Sequence, residues 1–361
     1  MRPGERADFL PPLFNPHKTL RDNLKPQQSK HSFLGFEVNS LFGIAACPAT
    51  SSSDYVRAAF SNGFDVITYK TQRSVRFPAN PFPNVLQLDL DGYLTPERAE
   101  QPIVGFPPEN LDPRNVTIAN SCAVQCEGAD FWTADFAEAL STAGKGQLLM
   151  LGVQGTIQDG FSEADYFDDF AATAELGVKA GAKVLELNLS CPNIAGERVV
   201  CYAPEAVAAI ARLVRERVGN DVKVLAKLGY FKPNQEELLK KVVGNLGPYV
   251  DGITAINTIA ARIVDRKGKQ AFPGPGREKA GVSGVAIKWA GIEMCGRLKN
   301  LREVLGLDYA IIGTGGVMNP DDYRDYMIAG ADLVQSATGA MWNPELALEI
   351  KRYTQAPYLM R

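Results

Sequence analysis

The sequence predicts an α/β protein built as a (β/α)8 TIM barrel, with long loops inserted at the C-terminal face. Three observations carry that expectation. Eight short apolar runs each lead into an amphipathic stretch. The runs are apolar throughout rather than alternating, which suits strands buried on both faces of a parallel sheet. Glycine-bearing loops follow the last two runs, where barrels of this kind cradle phosphate. A doubly wound sheet is the structural alternative.

Residues 1–37 are rich in Pro, Lys, Arg and Gln and lack periodicity. They read as an extended N-terminal arm that clasps a partner subunit or the barrel floor, with residues 38–361 as the barrel domain. The apolar runs are 41–46 (LFGIAA), 64–69 (FDVITY), 147–153 (QLLMLGV), 183–189 (KVLELNL), 223–228 (KVLAKL), 249–256 (YVDGITAI), 309–313 (YAIIG) and 332–336 (DLVQS). Helical patterns fill 162–180, 204–218 and 320–329. Ser162 followed by Asp165 is a helix-opening pair, and Pro320 after Asn319 suits a first helical turn. Two connections exceed what a plain barrel needs. Residues 71–146 hold FPANPFPNV and a further apolar run at 116–119, and residues 257–285 hold FPGPGREKAGVSG. Both follow the C-terminal ends of strands, where barrels place their chemistry.

Composition narrows the function classes. With 45% apolar and 22% charged residues the chain is globular rather than disordered. No window approaches the roughly 18 apolar residues of a membrane span. A net charge of −3 with two histidines offers no basic field for nucleic acid. Six scattered cysteines form no Cys-x-x-Cys pair, so neither a disulfide framework nor a metal site is expected. The first residues hold no apolar signal core, and the chain reads as a reduced cytoplasmic protein.

The run 309–313 enters Gly313-Thr314-Gly315-Gly316, and the run 332–336 enters Ser336-Ala337-Thr338-Gly339. Glycines let backbone N–H groups approach an anion, and Thr338 adds a hydroxyl. The same loops would serve an aldolase or isomerase with a phosphorylated substrate, or a plain strand-to-helix turn. The fourth run continues into Glu186-Leu187-Asn188-Leu189-Ser190-Cys191-Pro192-Asn193. Asn188 and Asn193 donate and accept together, which suits a flat ligand with alternating C=O and N–H groups. Cys191 is a candidate nucleophile or proton-transfer group. The only histidines, His17 and His31, fall near the N-terminus, which disfavours a Cys–His couple and favours the general-base reading.

The run ELNLSCPN, with GTGG and an Asn-Thr pair ending a strand, resembles the class 1 dihydroorotate dehydrogenases and the related pyrimidine domain of dihydropyrimidine dehydrogenases. The resemblance spans about residues 40–350. It implies an FMN-binding barrel that oxidises or reduces the C5–C6 bond of a pyrimidine. By resemblance, Cys191 removes the C5 proton as hydride leaves C6 for flavin N5. Lys70 matches a lysine beside flavin and substrate, and Lys227 one near flavin N1 and O2. Read unaided, each lysine is either an ion-pair partner or a ligand group, and lysine is rarely buried unpaired. Asn120, Asn188, Asn193 and Asn257 match the asparagines that hold the ring, with Thr258 beside them. Ala45 and Ala46 match a strand passing along the flavin, Gly284 a flavin-contacting loop, and Gly315, Gly316, Ala337 and Thr338 the FMN phosphate contacts.

After Asn120 the dihydroorotate enzymes usually continue Ser-Met-Gly-Leu-x-Asn, a backbone turn that receives the substrate carboxylate. Here the segment reads Ser121-Cys122-Ala123-Val124-Gln125-Cys126, without the glycine. The segment DRKGKQAFPGPGREKAGVSG and Gly196-Glu197-Arg198 look more like dihydropyrimidine dehydrogenases, which in turn carry histidine where Asn193 stands. The expected reaction is therefore dihydroorotate oxidation, with uracil or thymine dehydrogenation as the alternative and a non-redox lyase or isomerase as a third reading. No ferredoxin-like cysteine cluster is present, so electrons leave through a soluble acceptor or a separate subunit. The resemblance also implies a homodimer.

Overall fold

The computed structural model describes residues 31–109, 112–190 and 199–355. Eight parallel strands close into a barrel: β1 (Phe42–Ile44), β2 (Val66–Gln72), β3 (Leu148–Val153), β4 (Val184–Asn188), β5 (Lys223–Leu228), β6 (Gly252–Ala255), β7 (Ala310–Thr314) and β8 (Leu333–Ser336). Each overlaps one of the expected apolar runs. Closure is direct, with Val334 opposite Phe42 and Ser336 opposite Ile44, and that last ladder separates a barrel from a doubly wound sheet.

One long helix stands outside after each strand: α1 (Ser53–Ser61), α2 (Ala129–Ser141), α3 (Glu163–Lys179), α4 (Pro204–Val218), α5 (Glu236–Leu246), α6 (Lys288–Leu305), α7 (Pro320–Ala329) and α8 (Leu346–Gln355). The opening signals act as expected. Asp165 N–H donates to Ser162 Oγ at 3.2 Å while Ser162 N–H donates back to Asp165 Oδ2 at 2.8 Å. Asn319 and Asp322 exchange the same pair at 3.1 and 3.2 Å before α7. Each exchange satisfies amide donors that a helix start otherwise leaves open.

The expected arm is not extended where it is described. Residues His31–Phe33 and Phe36–Val38 form an antiparallel hairpin, with both turn residues at positive φ (Leu34 52°, Gly35 87°). That turn matches the right-handed twist of the strands it joins. Phe33 and Val38 pack against Val66, Leu148, Val184 and Leu333, the opening residues of four barrel strands. The hairpin therefore plugs the N-terminal floor. The arm's residues 1–30 lie outside the described residues.

The two long connections meet. Val85–Asp89, Ile103–Phe106 and Thr117–Asn120 come from the first, and Ile259–Val264 and Lys279–Gly284 from the second. Together they close a second, five-stranded barrel. Its central ladder sets Gly281 opposite Asn120 and Gly284 opposite Thr117, and Ile263 opposite Ile103 completes the ring. The apolar run at 116–119 is thus a strand of this cap. Among the described residues no helix is long and apolar enough to cross a membrane.

Candidate functional site

Inside the barrel, the even-numbered strands contribute one polar layer: Thr68, Glu186, Thr254 and Gln335, all fully buried. Thr254 Oγ1 donates to Glu186 Oε2 at 2.8 Å, and Gln335 Nε2 donates to Thr68 Oγ1 at 3.0 Å. Among the described residues Glu186 Oε1 accepts no hydrogen bond, and it lies 3.8 Å from Lys227 Nζ, itself almost fully buried. Lys227 is thus both an ion-pair partner and, at the end of β5, part of the cavity wall above this layer. Glu186 and Gln335 escaped the sequence reading, although their common place on alternate strands is a periodic signal.

Above the layer a cavity opens between the barrel mouth and the five-stranded cap. Every described residue of the expected set lines it: Ala45, Ala46, Lys70, Asn120, Asn188, Lys227, Asn257, Thr258, Gly284, Gly315, Gly316, Ala337 and Thr338. Cys191 and Asn193 lie outside the described residues, as do Gly196, Glu197 and Arg198. At one end carboxamides are chained together. Asn188 Nδ2 donates to Gln154 Oε1 at 2.9 Å, and Asn257 Nδ2 reaches Asn188 Oδ1 at 3.3 Å and Ser190 Oγ at 3.2 Å. Asn120 Nδ2 donates across the cap ladder to Gly281 O at 3.1 Å. Thr258 Oγ1 is buried on the wall without a hydrogen bond among the described residues. A buried polar atom left open in this way calls for a ligand or water.

The other end is a glycine cradle. Gly315 and Gly316 take φ of 121° and 69°. A Cβ on Gly316 would fall 2.7 Å from Gly284 O and 2.9 Å from Lys288 N, so the loop closes only over glycine. The N–H groups of Gly315 and Gly316 have no partner among the described residues. In the short helix Thr338–Trp342 beside them Ser336 Oγ accepts from the Ala340 N–H at 3.1 Å, while the Thr338 and Gly339 N–H groups have no partner among the described residues. The start of α7, by contrast, is capped by Asn319 and Asp322, and Lys288 Nζ holds Asp322 at 2.5 Å. Open amides therefore gather at the loops after β7 and β8, an arrangement suited to a phosphate.

The turn after Asn120 resolves the missing glycine. Ala123 adopts φ of 60°, the left-handed conformation that glycine takes without strain. Ala123 and Val124 are buried on the cavity wall, and their N–H groups donate to nothing among the described residues. Two buried guanidinium groups grip the turn's flanks. Arg73 Nε donates to Val124 O at 2.9 Å, and Arg277 Nη2 donates to Ser121 O at 2.9 Å. The sequence reading missed both arginines, because nothing local marks them. Ala123→Gly is expected to raise stability by about 1 kcal/mol through relief of that conformation, and Ala123→Val to lower it by at least as much. Thermal unfolding of the two variants checks this.

Alongside Cys122, the thiol of Cys47 lines the cavity. Burial, above all, raises its pKa, against smaller opposing effects from the Ala49 backbone, Lys70 and Lys227. It stays a neutral thiol near pH 7 and does not compete as a base.

A family model described as dihydroorotate dehydrogenase matches residues 107–355. A dihydroorotate dehydrogenase of Dictyostelium discoideum is 31% identical over 351 residues, covering 94% of this chain and 92% of that protein. The catalytic subunit of dihydroorotate dehydrogenase B (NAD(+)) from Staphylococcus carnosus is 34% identical over 185 residues, 51% of this chain and 56% of its own length. Dihydroorotate dehydrogenase A (fumarate) of Limosilactobacillus reuteri is 30% identical over 187 residues, with the same two shares, 51% and 56%.

Proposed function

Because this chain belongs to the dihydroorotate dehydrogenase family and is an oxidoreductase acting on a CH–CH bond, we propose that it binds FMN and oxidises dihydroorotate to orotate. The observation that carries the substrate assignment is the turn at Ala123. Ala123 stands where the family's turn carries glycine and takes a left-handed backbone that glycine adopts without strain, with two buried amides on the cavity wall left open among the described residues. A neutral ring would leave those donors unsatisfied, whereas a carboxylate fills them.

The cofactor assignment rests on the cradle. The open amides of Gly315 and Gly316, those of Thr338 and Gly339 at the start of the short helix and the Thr338 hydroxyl would hold the phosphate. Ala45, Ala46, Gly284 and Lys227 line the space between that end and the asparagines, where the ring system would lie. When bound, FMN supplies the acceptor for the hydride that leaves C6.

The chain's own groups do the rest. Asn120, Asn188 and Asn257, with Asn193 following the Cys191 loop, orient the pyrimidine through paired donors and acceptors. Thr258 Oγ1 offers its open hydroxyl to the same ring. Cys191 Sγ takes the proton from C5, and Lys70 and Lys227 place positive charge where electron density accumulates. Electrons then pass to a soluble acceptor or a separate subunit, and the enzyme works as a cytoplasmic homodimer.

Anaerobic mixing of the flavin-loaded protein with dihydroorotate, and separately with dihydrouracil, tests the reading. Bleaching near ~450 nm, the usual flavin band, is expected with dihydroorotate and not with dihydrouracil. The opposite order would assign the chain to dihydropyrimidine oxidation. A protein that takes up no flavin would end the proposal.

A further inference from the structure

Arg277 is 5% exposed and has no carboxylate partner among the described residues. Its guanidinium instead reaches neutral oxygens: Ser121 Oγ at 3.0 Å, Ser121 O and Asn84 Oδ1 at 2.9 Å, Pro81 O at 2.8 Å and Pro273 O at 2.5 Å. These oxygens come from both long connections, so the side chain stitches the cap together. Carbonyls and hydroxyls solvate the cation without cancelling its charge. Arg73, at the other flank, differs. Its neighbourhood includes the carboxylate of Asp169, which accepts from the Thr156 N–H at 2.7 Å while Thr156 Oγ1 accepts from Arg73 at 3.0 Å. Asp169 tempers the charge of Arg73, whereas no carboxylate among the described residues stands against Arg277.

We propose that Arg277 is a specificity-determining residue: its positive charge, which no carboxylate among the described residues pairs, sits behind the Ser121–Val124 turn and selects a pyrimidine that carries an anionic substituent over one that carries a neutral group of the same shape. The inference rests on the functional reading above and adds to it the origin of the charge preference. The open amides of Ala123 and Val124 supply directional contacts that a carboxamide oxygen also accepts. A full charge in a buried, low-dielectric wall discriminates where dipoles alone discriminate weakly. The arginine acts through the turn and touches no reacting atom, so it is a positioning residue and not a catalytic one.

The test compares orotate with its neutral 6-carboxamide, titrated into the flavin-loaded protein and read by the flavin difference spectrum. Wild type is expected to bind orotate about ten- to a hundredfold more tightly than the amide. In Arg277→Gln that ratio is expected to fall towards one, while amide binding changes little. Arg277→Lys, which keeps the charge and loses the forked hydrogen bonds, should retain most of the preference. Equal binding of the two ligands by wild type overturns the proposal with no variant needed, which covers the case of a glutamine variant that does not fold. Parallel weakening of both ligands in Arg277→Gln, with the ratio preserved, also overturns it and leaves the residue as scaffold alone. If wild type is reduced by dihydroorotate and yet shows no charge preference, this inference fails and the functional reading stands. If dihydroorotate does not reduce it, the functional reading fails first.

Discussion

Cys191→Ala is expected to retain its flavin and to lose most of the speed with which dihydroorotate reduces it, by about a hundred- to ten-thousandfold, the usual worth of a positioned base. Ser190, the residue before it, is buried and accepts from Asn257 through both its carbonyl and its hydroxyl. The chain therefore leads towards Cys191 from an anchored point beside the chained carboxamides. Stopped-flow reduction under anaerobic conditions measures the effect. Flavin content and orotate affinity serve as controls, since neither depends on moving the C5 proton. A half-reaction of unchanged rate would take the thiol out of the mechanism. Cys191→Ser should fall in the same range, because a hydroxyl is a far weaker acid than a thiol and its conjugate base is scarce near neutral pH.

Lys227→Met should cost stability as well as activity. The replacement is close in length but removes the cation that faces Glu186 at 3.8 Å, deep in the barrel. Glu186 would keep one hydrogen bond, from Thr254, and carry a buried charge with no counter-ion. Breaking such a pair typically costs about 3–5 kcal/mol, a large part of the roughly 5–15 kcal/mol that holds a domain folded. Urea unfolding, with and without added FMN, measures it. Adding Glu186→Gln to the lysine variant should recover much of the loss, because the neutral amide can still accept from Thr254. Two single variants and a double variant that simply summed would show that the two groups do not interact.

The barrel was legible because its strands are buried on both faces. Runs such as LLMLGV and KVLAKL have no polar side to obscure them, and every run coincides with a strand. The glycine loops stood out because a close backbone approach constrains residue type, whereas Cys191 and Asn193 lie outside the described residues. The polar layer was hidden by the same apolar runs, since Glu186 and Gln335 look like interruptions until closure shows that alternate strands share a level. The cap was half visible. Its run at 116–119 stood out, but the pairing of Gly281 with Asn120 joins segments far apart in sequence, and no local pattern announces such a partner. Ala123 carries no sign of its left-handed backbone, which its neighbours impose through Arg73 and Arg277. The floor hairpin was missed because its strands are three residues each and its turn reads Leu-Gly rather than Asn-Gly.

That hairpin ties the two ends of the polypeptide together in time. Phe33 leaves the ribosome long before Leu333, yet the two share one seat. The plug's seats on β2, β3 and β4 are made early, but the ring of neighbours under the plug is complete only once the final strand has been made. Closing the barrel and completing that ring become one late event, and a nascent chain arrested before β8 would present a sticky foot to chaperones.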